Sequence, residues 1–272
     1  MDYNMPRVNE VMKYLDSIAP VEMKMDFDNV GFLVGRKDGD ATRILVSLDI
    51  TSDVVAEAVD KRAGLIVSHH PVFFSLNKVT DEGTTGAIIV DMLSAGIAAI
   101  CMHTNLDAAL GGVNDALAVA AGIARGGEAA EPLTAGGTTS SGEAFSYGRV
   151  GSLMSPLLMS DYMAVLKGAL RADGLRYHDA GRDVFRVAVV GGSGGSELEC
   201  AIAAGCDTFV TADIKYDLFL EARERGINLI DAGHFNTENL VIAPLAERLQ
   251  AEFADANVRV SERHTNPVKY FL

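Results

Sequence analysis

Six side chains of types that hold metal ions, four histidines and two carboxylates, fall at three places in this 272-residue chain that share one pattern. Leu65-Ile66-Val67-Ser68 is followed by His69 and His70. Ile97 to Cys101 is followed by Met102, His103 and, four residues later, Asp107. Asn228-Leu229-Ile230-Asp231 is followed by Ala232, Gly233, His234 and then Glu238. Each short apolar run reads as a buried strand, and the ligand-type residues lie just past its carboxyl end. Within a strand, adjacent His69 and His70 would point to opposite faces. Beyond its end, ahead of Pro71, both imidazoles can turn to one site. Ligands of open α/β sheets bind at that edge. Four of the six histidines belong to these places; His178 and His264 do not.

Four imidazoles and two carboxylates are too many, and too poor in sulfur, for one structural zinc, which takes four ligands and usually thiolates. They suit two divalent ions a few ångströms apart, bridged by one carboxylate. Zinc, iron, manganese or magnesium fit such donors; copper(I) does not. A pair of this kind can clamp the attacking and leaving oxygens of a hydrolysis. Each residue also has an ordinary reading. His103 would be a buried histidine satisfied by a carbonyl, Asp107 the N-cap of the next helix, and Glu238 a first-turn acid answering the helix dipole. The six together favour the metal site.

The elements that must position them alternate. The spacing predicts helices over Val8–Ile18, Thr51–Arg62, Gly86–Ala95 and Val113–Ile123, with strands over Arg43–Asp49, Leu65–Ser68 and Ile97–Cys101. That is the pattern of an α/β domain with a largely parallel sheet. From about Arg125 the chain turns small and polar, with Gly126-Gly127 and Gly136-Gly137-Thr138-Thr139-Ser140-Ser141-Gly142, and reads as a linker or mobile loop at a domain boundary. Beyond it, strands are expected over Phe145–Leu153, Val184–Val190, Thr208–Thr211 and Asn228–Asp231. Helices are expected over Ser160–Ala172 and Glu197–Ala204 and through Glu221–Arg225, and one long helix over Thr237–Phe253. Val258–Val260 and Val268–Phe271 are candidate edge strands. The run Gly191 to Gly195 matches neither phosphate-loop fingerprint and reads as a tight turn.

Composition narrows the classes. A chain that is 49% hydrophobic and 22% charged can bury one large or two medium cores. A net charge of -14 is unsuited to a nucleic-acid backbone as main partner. No apolar run is long enough to span a bilayer, and Met1 to Arg7 lacks a signal-peptide pattern. Cys101, Cys200 and Cys206 are odd in number with no CxxC, so a reducing cytoplasm is the expected compartment.

The chain resembles the Ngg-interacting-factor-three-like family, whose members often carry the name GTP cyclohydrolase I type 2 homologue. The matching motifs are Asp28-Asn29-Val30-Gly31, Leu48-Asp49-Ile50-Thr51, Ser68-His69-His70-Pro71, His103-Thr104-Asn105-Leu106-Asp107-Ala108, Val210 to Tyr216, and Asp231 to Glu238. The resemblance implies a dinuclear centre on His69, His70, Asp107, His234 and Glu238, with Glu238 bridging. His103 would be a further ligand, an outer group or a proton carrier. It implies two α/β lobes with the site at strand carboxyl ends between them. They are expected over 1–125 with about 236–272, and over about 126–235, without the inserted middle domain of longer relatives. It also implies a hexameric ring. Phe27 stands where the family commonly has tryptophan, a packing change, and Ala212 where glycine is common, next to Asp213.

Two functions follow. One is a metal-dependent hydrolase of a nucleotide or another small phosphorylated or cyclic-amide substrate, with His103 shuttling a proton. The alternative is a non-catalytic metal-binding regulatory or interaction module, in which loss of the ions costs stability or assembly.

Overall fold

The computed structural model describes residues 5–124 and 130–271. Met1 to Asn4, and residues 125–129 of the expected linker, lie outside the described residues. The chain divides into two compact units, Met1–Leu106 with Val241–Thr265 and Asp107–Leu240 with Asn266–Leu272. No helix among the described residues is long and apolar enough to cross a membrane.

The first unit is built on strands β1 (Gly31–Val34), β2 (Arg43–Ser47), β3 (Leu65–Ser68) and β4 (Ala98–Cys101), with helices α1 (Val8–Ile18), α2 (Ser52–Asp60) and α3 (Thr84–Ser94). α4 (Thr104–Ala108) follows β4 and crosses the division between the units. The sheet runs β1-β4-β3-β2-β11, β11 (Asn257–Val260) arriving from the last part of the chain. β11, β2, β3 and β4 are parallel, and only β1 is antiparallel. β3 and β4 are buried along their whole length, as strands covered on both faces must be. Leu45, Ile66 and Ala99 meet Val54, Val55 and Ala58 of α2 and Ile88, Ile89 and Met92 of α3. Thr51 caps α2, its hydroxyl accepting from Val54 N at 3.3 Å.

One buried acid ties the end of this unit to its middle. Glu57 on α2 is 1% exposed. It accepts from the Ser261 hydroxyl at 2.5 Å, from the backbone N–H of Glu262 and Arg263 at 3.0 Å each, and from Lys61 Nζ at 2.7 Å. Burial alone would raise its carboxyl; these four donors outweigh it and lower it from 4.5 to about 2.

The second unit carries β5 (Glu131–Thr138), β6 (Ala144–Leu157), β7 (Arg176–His178), β8 (Val184–Val189), β9 (Thr208–Thr211) and β10 (Asn228–Asp231). Its helices are α5 (Val113–Ala120), α6 (Met159–Ala169), α7 (Leu198–Ala203), α8 (Tyr216–Arg225) and α9 (His234–Glu238), and α10 (Ile242–Glu252) returns to the first unit. The sheet runs β5-β6-β8-β9-β10-β7. Alternation along its strands sorts two cores. Val187, Val189, Val210 and Ile230 pack with Leu117 of α5 and Tyr162 and Leu166 of α6. Ala188, Phe209 and Leu229 pack on the other face with Leu198, Ala201 and Ala222.

Several expectations need correction. The polar stretch around Gly136 is strand β5, paired antiparallel with β6 through a turn in which Thr139 N bonds Glu143 O at 2.8 Å. Its glycines serve the ring of Phe145, since a Cβ on Gly136 would lie 2.4 Å from it. A largely parallel order holds in the first sheet but not in the second, where β5-β6, β6-β8 and β10-β7 are antiparallel. The compact units divide at 106/107 and 240/241, with Leu117, Ala118 and Ile123 in the second unit's core. The long final helix is broken into α9, a 3-10 turn over Asn239–Val241, and α10. Pro244 sits in the first turn of α10, where no N–H is needed. Val268 to Tyr270 joins neither sheet; the Tyr270 ring lies where a Cβ on Gly174 would be 2.7 Å away. Phe27 is 67% exposed and belongs to neither unit's core.

The Glu57 clasp has a signed pH dependence. The folded carboxyl titrates at about 2 and the unfolded one at 4.5, so the folded state binds fewer protons between them. Its contribution, about 3 kcal/mol, is complete above that window and disappears as pH falls through it. Urea unfolding of Glu57→Gln is expected to show a deficit of that order at pH 7, and the gap to the parent should shrink towards pH 2. A gap independent of pH would refute the assignment.

Candidate metal centre

In the first unit the parallel strands β2, β3 and β4 end side by side, and the chain beyond each end turns under side-chain control. The Ser47 hydroxyl donates to Asp49 O at 2.8 Å, and Ser68 to His70 O at 2.7 Å. Asp49, His69, His70 and His103 thereby come to one edge. Ring centroids of His69, His70 and His103 are 5.0 to 5.5 Å apart. Ligand atoms of the three lie within 4.8 Å of one another.

Each imidazole is held by Nδ1. His69, fully buried, bonds Met102 O at 2.8 Å. His70 bonds Asp49 Oδ1 at 2.7 Å and His103 bonds Asp28 Oδ1 at 2.8 Å. Carbonyl and ionised carboxylate oxygens only accept, so Nδ1 carries the hydrogen and Nε2 is the lone-pair nitrogen of the neutral ring. This is the arrangement around metal-ligating histidines, where an outer acceptor fixes tautomer and orientation. Asp28 also takes Thr104 N at 3.0 Å and the Thr104 hydroxyl at 2.5 Å, opening α4. Burial would raise its carboxyl, but the bonds from His103 and Thr104 hold it well below the ordinary range. His103 is thus satisfied by a buried acid rather than by a carbonyl. Asp107 follows one helical turn later on α4, half-buried. It is not the N-cap of α5, which is Gly112.

The second unit repeats the plan at the ends of its parallel strands β8, β9 and β10. His234 opens α9, with Nδ1 on Asp213 Oδ2 at 2.7 Å and Nε2 3.0 Å from Glu238 Oε2. Glu238 closes α9 and is 3% exposed, so it is no first-turn acid. Asp213 adopts a left-handed conformation at φ 55, which aspartate tolerates better than most residues. The buried Asp231 braces it by accepting from Ile214 N at 3.1 Å and from Arg176. Ala212 stands beside it with its N–H on Gly192 O at 2.9 Å, and Asp213 still reaches His234.

Gly192 explains part of the glycine run. At φ +63, a Cβ there would lie 2.1 Å from Glu238 Oε1 and 3.3 Å from His234 Cε1. Its N–H bonds the Thr237 hydroxyl at 3.0 Å, and Gly194 N bonds Thr211 Oγ1 at 2.9 Å. The turn is therefore also the cradle of Glu238. The sequence reading names the histidines, Asp107 and Glu238 as site residues, but gives Asp28, Asp49 and Asp213 only as parts of motifs and Gly192 only as part of a tight turn. A signal was present: Asp49-Ile50 and Asp213-Ile214 each begin two residues past a strand, beside a strand with a histidine just beyond its end.

Burial pushes the His234 imidazole down, but the Glu238 and Asp213 carboxylates outweigh it and raise it to about 9. Near neutral pH this ring is protonated, and an ion binding there would displace that proton. Zinc titration at pH 7 is expected to release protons, and affinity to rise towards pH 9; affinity flat in pH would contradict this. Asp49→Ala and Asp213→Ala are each expected to weaken metal binding roughly 10- to 100-fold in a chelator competition. Unchanged affinity would deny these carboxylates their orienting role.

The sequence profile described as Duf34/NIF3 (NGG1p interacting factor 3) matches residues 6–267. A Clostridium perfringens protein named GTP cyclohydrolase 1 type 2 homolog is 31% identical over 267 residues, covering 97% of this chain and 99% of its own. A Streptomyces coelicolor protein of the same name is 35% identical, covering 97% and 94%. Among solved structures, the Staphylococcus aureus protein SA1388 superposes with a TM-score of 0.88 at 26% identity, covering 98% and 99%. The mixed α/β architecture with two sheets is shared with such structures, and the profile spans nearly the whole length. The chain belongs to the Duf34/NIF3 family.

Proposed function

We propose that this protein is a metal-dependent hydrolase whose two half-sites serve one dinuclear centre, with His69, His70, Asp107, His234 and Glu238 as ligands and Glu238 bridging. The observation that carries the reading is that His69, His70 and His234 are each oriented through Nδ1 by an acceptor, as ligating histidines are. The donor set of nitrogen and carboxylate oxygen fits zinc, iron, manganese or magnesium. When bound, such a pair supplies Lewis acidity and activates water at neutral pH.

The chain's own residues do the rest. Gly192 leaves room for Glu238, and Asp49 and Asp213 fix the faces of His70 and His234. His103 carries a proton between water and leaving group, while Asp28, held ionised, stabilises the imidazolium that forms. The substrate is a nucleotide or another small phosphorylated or cyclic-amide molecule, in keeping with the name carried by the relatives. Assembly into a hexameric ring is part of the proposal and rests on family resemblance alone; light scattering of the eluting protein tests it.

The decisive experiment is metal analysis by mass spectrometry on the parent and on Glu238→Ala, each then screened against nucleotides and phosphoesters with and without added ion. About two ions per chain, lost together in the variant along with hydrolysis, are expected of a bridged pair. Two ions with no turnover would favour the regulatory binding module. One ion or none, unchanged in the variant, would sink the dinuclear centre. His103→Ala is expected to lower kcat roughly 10²- to 10⁴-fold with metal content unchanged. Loss of an ion instead would make His103 a ligand.

A further inference from the structure

A second concave site lies in the first unit, at the opposite end of β2 from Asp49. It is a pocket of about 220 Å³ lined by Arg43, Lys61, Asn257 and Arg259 over an apolar floor of Leu45 and Ala63. The register of β2 and β11 builds it. Arg43 pairs with Asn257 and Leu45 with Arg259, so these four side chains share one face of the sheet. α2 covers Leu45 but ends at Asp60, and β11 is the edge strand; beyond that cover both arginines are exposed.

The charges here are unequally answered. Lys61 is engaged by Glu57 at 2.7 Å and Glu262 at 3.3 Å. Arg263, next in the chain, pairs with Asp60 at 2.5 Å. Asp40, on the loop entering β2, directs both oxygens to Thr42. Among the described residues no carboxylate pairs with Arg43 or with Arg259, and Arg259 Nε bonds only the neutral Asn257 Oδ1 at 3.0 Å. That bond fixes the plane of the Arg259 guanidinium while leaving its terminal nitrogens for another acceptor. In a chain of net charge -14, two guanidiniums that line one pocket without a carboxylate partner form a local positive site over an apolar floor. Planar forks of this type take oxyanions in bidentate fashion.

We propose that this pocket binds the phosphate group of a small ligand, either free phosphate or the phosphate of a phosphorylated molecule, at a place separate from the histidines.

The test is calorimetry on the protein as isolated, with inorganic phosphate, adenosine 5′-monophosphate and adenosine as probes. It is run on the parent, Arg43→Gln, Arg259→Gln, the double variant and Glu238→Ala. Expected are saturable phosphate binding, a loss of roughly tenfold in each single variant, no binding in the double variant, and weakening with added salt. Metal content should be unchanged in the arginine variants, which also reports that they fold; if the double variant fails to fold, the single variants decide. Tighter binding of the monophosphate with adenosine silent would assign a phosphorylated ligand. Equal binding would assign free phosphate, and both support the site. No saturable binding, binding indifferent to the arginines, or binding lost in Glu238→Ala alone would overturn it.

Discussion

The arrangement depends on one constraint: an imidazole offers a chosen nitrogen in a fixed direction when the other nitrogen is held. Here each of the four candidate histidines has its Nδ1 on an acceptor, three of them carboxylates. Those carboxylates must come from a neighbouring chain segment, which parallel strands supply for two of them and the antiparallel β1 for Asp28. Asp49 lies beyond β2 and His70 beyond adjacent β3; Asp213 lies beyond β9 and His234 beyond adjacent β10. A one-residue slip between either pair of strands would turn the acid away from its ring. The packing of β-branched side chains along those strands is therefore also what aims the site.

Much of the fold is readable from hydrophobic period. Val8–Ile18, Leu65–Ser68, Thr208–Thr211 and Asn228–Asp231 form where the pattern puts them, because their burial is decided locally by an apolar stripe or run. The misread elements are those whose pattern is overridden by tertiary partners. β5 is glycine-rich and polar yet becomes a strand because β6 offers it a ladder and Phe145 a ring to lie under. β7, three residues long, exists only through its pairing with β10. Val268 to Phe271 has strand-like residues but finds no sheet edge.

The candidate site divides in the same way. Ligand-type residues announce themselves, since adjacent histidines and a histidine four residues before a glutamate are uncommon and chemically pointed. Their outer partners do not. Asp28 is 75 residues from His103 and Asp213 is 21 from His234, and an isolated aspartate in a loop resembles any surface acid until the fold brings it to a ring. Gly192 was still harder to see, because its contribution is the absence of a side chain beside Glu238.

The clasp on Glu57 ties the timing of folding to the order of synthesis. Ser261, which satisfies that buried carboxylate, is 204 residues away in sequence, and β11 just before it completes the sheet beside β2. The first unit cannot close until β11 and Ser261, 204 residues beyond Glu57, have been made, whereas most of the second unit is one continuous segment. The earlier-made half of the protein is the later-finished one, and the unfilled edge of β2 must wait, open, while the other half takes shape.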